Sequence, residues 1–147
     1  METTCFHPKI DQIARMRVYT SQYSTIDVDK EKFLLSAAWL EESIKLKEDG
    51  VKKEITKILD YVRVYKIKKV IVDVKQYPFR ENENIQRWIN YEYIPMIIDK
   101  GVQKYAILVK EMVKSKFENL EDIIDESDVM QITYFTDKNE AVEWLQV

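Results

Sequence analysis

The sequence predicts an α/β domain: a mixed, mostly parallel sheet of about five strands with an N-terminal β-hairpin and about four helices. Three observations predict it. Segments with apolar residues at helical spacing alternate with short apolar runs. Two of those runs, VIVDV (70–74) and YAILV (105–109), are nearly continuous, which suits parallel strands covered on both faces. Ahead of them, YSTIDVD (23–29) and FLLSAAWL (33–40) flank the polar turn DKEK and read as an antiparallel hairpin.

Taken in order, residues 1–15 read as an N-terminal arm and 16–147 as one domain. FLLSAAWL could be helical, because Leu and Ala favour helices; its shortness and the charged turn before it favour strand. Between about 47 and 66, Val51, Ile55, Ile58, Leu59, Val62 and Tyr65 form a helical stripe. Asp49 and Lys53 are spaced for an i,i+4 pair, and Gly50 places the regular part of this helix from Val51. KKVIVDVKQY is the central strand. A second helix is expected from a cap at Asn82 to Lys100, closed by Gly101. KYAILVK (104–110) is a strand, Ser115-x-x-Glu118 is a capping box opening an acidic helix to about Glu126, and MQITYFT (130–136) is a further strand. Asp137 then caps a last helix, with Glu140 three residues on and Ala141, Trp144 and Leu145 inward.

Composition narrows the chemistry. The 147 residues are 46% apolar and 33% charged, which is globular, and the net charge of −3 gives no electrostatic reason to expect nucleic acid. No apolar run approaches the length of a membrane span, and the first residues lack the order of a signal peptide, so no stable membrane anchoring and a cytoplasmic location are expected. The single Cys5 excludes an intrachain disulfide. With two distant glycines, Gly50 and Gly101, no glycine-rich phosphate loop is present. With one histidine, His7, a Cys/His zinc cluster within the chain is impossible, and Cys5-x-His7 is at most half of an intermolecular site. No metal, cofactor or catalytic residue is expected.

The hairpin ending in Trp39, KKVIVDVKQY, RWINYEYIPMIIDKGVQKYAILV and TYFTDKNEAVEWL together resemble the STAS/SpoIIAA-like family over about residues 20–146. The resemblance implies a SpoIIAA-like fold and a regulatory module. The founding anti-sigma-factor antagonists carry a phosphorylatable serine after the central strand. This chain has QYPFRENEN (76–84) there, without Ser or Thr, so a phosphoswitch is not expected at that position. The family also resembles CRAL-TRIO-type lipid-binding domains, which makes a small apolar ligand conceivable.

Two sets of residues are candidates. Asp73 ends the central strand, where open α/β sheets place their ligands. It is expected either to anchor the following turn by accepting backbone N–H groups or, with Tyr77, Phe79 and Arg80, to line a ligand site; Lys75 could neutralise it or meet an anion. In the second helix, Ile85, Trp88, Ile89, Tyr93, Met96 and Ile97 share one face, while Arg87, Tyr91, Ile94 and Ile98 fall nearly opposite. Two stripes imply a second cover within the chain, a merging of the stripes at Pro95, or an interface with a homodimer or protein partner. The acidic segment 118–128 lacks the spacing of a calcium loop and reads as a solvated face; the nine tyrosines and three tryptophans read as core and interface. The leading reading is a non-enzymatic regulatory or protein-interaction module. The alternative is a small-molecule or lipid carrier with a pocket near Asp73, and the weakest is an enzyme using Asp73 as acid or base.

Overall fold

The computed structural model describes residues 15–76, 83–111 and 130–146. Six strands, β1 (Arg15–Thr20), β2 (Ser24–Asp29), β3 (Leu34–Trp39), β4 (Lys69–Asp73), β5 (Lys104–Leu108) and β6 (Gln131–Phe135), form one sheet in sequence order. β2 runs antiparallel to both of its neighbours, β1 and β3; β3 to β6 are parallel. The α/β class, the mixed sheet and the hairpin, which is β2–β3, are as expected. FLLSAAWL is a strand because it lies between β2 and β4 and is held on both edges.

One strand more is present than the sequence signalled. RMRVYT looks wet because β1 is an edge, where Arg15 and Arg17 face solvent and the register shifts between Arg17 and Tyr19. Charge and a bulge on an edge strand are devices that blunt association through its free backbone. The Arg17 guanidinium pairs with Asp27 across the β1–β2 ladder.

β3 leads to β4 and β4 to β5 in the same direction, so right-handed crossovers bring the two connecting helices to one face. Helix α1 (Glu48–Tyr65) and helix α2 (residues 83–99) pack there, over a core including Ile26, Val28, Leu35, Val70, Val72, Tyr105 and Ile132. Helix α3 (Lys138–Leu145) follows the last strand and takes the opposite face, closing Ala141 and Leu145 onto Leu34, Ile71, Ala106 and Leu108. Its cap is the one expected: the Asp137 carboxylate accepts from the Asn139 N–H at 3.0 Å.

Helix α1 starts at Glu48, three residues earlier than Gly50 suggested. A Cβ at position 50 would sit 2.7 Å from Leu46 Cδ2, so a larger residue there would make the end of the Leu46 side chain shift. The ion pair on this helix is Glu48–Lys52 at 3.2 Å, not the expected Asp49–Lys53. Helix α2 ends as predicted: Gly101 at φ 95° turns the chain, donating to Ile98 O while Val102 donates to Ile97 O. Asn82 and the acidic helix expected at 115–126 lie outside the described residues.

The interior of α2 departs from a uniform helix. Its segments are α (Glu83–Trp88), π (Ile89–Tyr93) and α again (Ile94–Asp99). Pro95 has no N–H to donate to Tyr91, and the Ile94 N–H reaches back to Ile89 O, closing the wider turn. The extra residue rotates everything after it by about 100°. The two stripes read from a constant pitch therefore merge: Tyr93, Ile94 and Ile97 are all buried, and Met96, assigned to the inner stripe, is 39% exposed.

Candidate functional site

Three places gather polar or exposed groups that could act. The first is the carboxyl end of the parallel strands. Asp73 ends β4 on the α3 side of the sheet, half-buried, and its Oδ1 accepts the Lys75 N–H at 2.9 Å. The Lys75 ammonium donates to Thr136 O at 2.7 Å, and Val74 N–H to Leu108 O at 3.0 Å. Acid and lysine thus stitch the ends of β4, β5 and β6 together, the anchoring role considered for Asp73. Tyr77, Phe79 and Arg80 lie outside the described residues, so Asp73 alone of that set is placed.

The second was missed by sequence reading. Glu54 is 5% exposed on α1, facing β1 and β2, and no cation pairs with it among the described residues. Its Oε1 accepts from Ser21 Oγ at 2.8 Å and Ser24 Oγ at 2.6 Å, and its Oε2 from Tyr19 Oη at 2.8 Å. Ser21 Oγ in turn accepts the backbone N–H groups of Tyr23 and Ser24. Burial, and then the bond to Glu54, raise the Tyr19 pKa, so its hydroxyl stays a donor. A buried carboxylate persists only when hydrogen-bonded. Three hydroxyls meet that need here and tie the turn between β1 and β2 to α1. The signal was present: position 54 falls within the Val51–Ile55–Ile58 stripe, where a wet glutamate does not belong.

The third is the outer side of α2. Arg87 is exposed, Tyr91 is 69% exposed, and Pro95 and Met96 continue the same ridge. Of the four residues expected at an interface, Arg87 and Tyr91 face solvent. Ile94 is 7% exposed and buried in the core, and Ile98 packs half-buried against it, because the π turn has rotated both inward. Ile94 is therefore corrected from interface to core. Behind the ridge, Trp88 stacks on Tyr93 with ring centroids 6.0 Å apart, and the Tyr93 and Tyr105 hydroxyls meet at 3.0 Å in full burial. Burial pushes the Tyr105 hydroxyl up to about 12 and raises that of Tyr93 well above its ordinary value.

Among the described residues, no cluster of three or more metal-binding side chains occurs and no helix is long and apolar enough to cross a membrane. No family model, curated protein or solved structure matches the chain.

Proposed function

We propose that this chain is a non-enzymatic protein-interaction module that self-associates, in keeping with the regulatory role the STAS/SpoIIAA-like resemblance implies. The observation that carries this reading is the outer ridge of α2. An aromatic at 69% exposure, beside an exposed arginine and a methionine at 39%, has the composition that concentrates binding energy at interfaces. Three polar groups elsewhere among the described residues serve the structure. Asp73 holds its own turn, Lys75 holds Thr136, and Glu54 is filled by three hydroxyls. Of the strand-end set considered for a carrier, Asp73 holds its turn, while Tyr77, Phe79 and Arg80 lie outside the described residues.

Sedimentation velocity of the whole chain tests it. A dimer mass is expected, and Tyr91→Ala should weaken it roughly 30-fold, the ~2 kcal/mol typical of an interface anchor. A species that stays monomeric at millimolar concentration overturns the proposal.

A further inference from the structure

The opposite flank of α1 carries a second surface of different chemistry. Helix α1 packs over β2 and β3 and meets β1 along one flank, where Glu54, Lys57 and Tyr61 reach Tyr19. The side of β1 that faces α1 is set by its register: Met16 lies opposite Val28 and Tyr19 opposite Ile26, both core residues of that face. A seam therefore runs between β1 and α1. On the strand side Met16 is 36% exposed; on the helix side Tyr61 and Tyr65 are half-buried and Val64 is 55% exposed.

Aromatic rings run along this seam. Tyr19 and Tyr61 have centroids 6.3 Å apart, and Tyr61 and Tyr65 6.5 Å. Two ammoniums stand over the ends of the row, Lys57 at 5.8 Å from the Tyr19 ring and Lys30 at 5.6 Å from the Tyr65 ring. Neither is joined to a carboxylate among the described residues. Glu54, beside the row, is occupied by hydroxyls and holds the Tyr19 hydroxyl. The seam is thus apolar and aromatic along its length, and basic at both ends.

We propose that this seam docks an acidic amphipathic peptide segment of a partner protein. Its apolar side chains would lie over Met16, Tyr61 and Val64, and its carboxylates would meet Lys30 and Lys57. Charge complementarity selects the sign of the occupant. The exposed Met16 and Val64 select a peptide over a single-stranded nucleic acid, which would need a wider basic field than a chain of net charge −3 supplies. The proposal rests on reading the chain as an interaction module but uses a surface separate from the α2 ridge.

A displayed library of random 16-residue peptides, panned on the whole chain, tests it. Selected peptides should carry several carboxylates and apolar residues at i, i+3 or i+4, and i+7. Their binding should fall at least tenfold in Lys30→Glu/Lys57→Glu and in Val64→Glu, and weaken with added salt. Tyr91→Ala should leave it unchanged, while the lysine variants leave the dimer mass unchanged; this separates failure here from failure of the α2 interface. Thermal melting of each variant checks that it is folded. No enrichment, enrichment of peptides without acids, or tighter binding of labelled oligothymidylate at the same lysines overturns the proposal.

Discussion

At the scale of single residues, Glu54 shows how a charge enters a core. Three short hydroxyl bonds satisfy its carboxylate, and each donor comes from the β1–β2 hairpin, more than 29 positions away in the chain. Removing the acceptor leaves three donors in a poorly hydrated place, and an orphaned buried donor costs about 1–3 kcal/mol. Glu54→Ala is therefore expected to lower stability in urea by about 3 kcal/mol, and Glu54→Gln, which keeps one acceptor oxygen, by less. A loss below about 0.5 kcal/mol for alanine, within the range of an ordinary surface change, would show that the cage contributes nothing. Asp29, 3% exposed, follows the same rule on a smaller scale: its Oδ1 accepts the N–H groups of Glu31 and Lys32 and closes the β2–β3 turn. Both acids were visible in the sequence. Only Glu54, inside an apolar stripe, carried a warning, and its donors were too distant along the chain to be assigned.

At the scale of the element, the π turn in α2 decides which side chains are core. A π turn behaves as one residue inserted into an α-helix, so deleting one should restore the regular pitch. Asn90 is the natural choice, because its Oδ1 is buried without a hydrogen-bond partner. Deletion of Asn90 is expected to leave the melting temperature within a few degrees of the parent, whereas deletion of Ile97, fully buried beyond the π turn, should unfold the domain. Equal damage from the two deletions, read by circular dichroism, would refute this account. The sequence placed the helix and its glycine stop correctly, and it offered merging at Pro95 as one explanation of the double stripe. A fixed angle per residue could not show that Ile94 turns inward and Met96 outward, since the hydrogen-bond shift is local and the reward for it is packing against the sheet.

At the scale of the whole molecule, Tyr93 and Tyr105 join the helical layer to the sheet through facing hydroxyls. Their raised pKa values, driven first by burial, link folding to alkaline pH. In the unfolded chain both ionise near 10, while folding raises Tyr105 to about 12 and Tyr93 well above its ordinary value. The unfolded state thus binds fewer protons than the native state above pH 10, and stability falls as pH rises. The contribution is complete below pH 10 and is lost toward pH 12. Urea midpoints should be flat from pH 7 to 9 and decline above 10. Tyr93→Phe should lessen the decline at some cost in stability at neutral pH, because the Tyr105 hydroxyl then lacks its partner. A midpoint unchanged to pH 11.5 would contradict the linkage.

The sequence by itself determined the strand–helix alternation, the hairpin and its turn, the caps at Asp137 and Gly101, and the scarcity of residues able to bind metal or form a nucleophilic triad. These follow from spacing and residue type, which are local. Tertiary structure alone decided that RMRVYT is an edge strand and that Glu54 closes a cage of hydroxyls. It also decided that the second stripe of α2 is half core and half surface, and that tyrosines from β1 and α1 line one seam. Each of these depends on which distant groups share a layer, and the energy of packing and of satisfied hydrogen bonds selects that arrangement after the local preferences have been met.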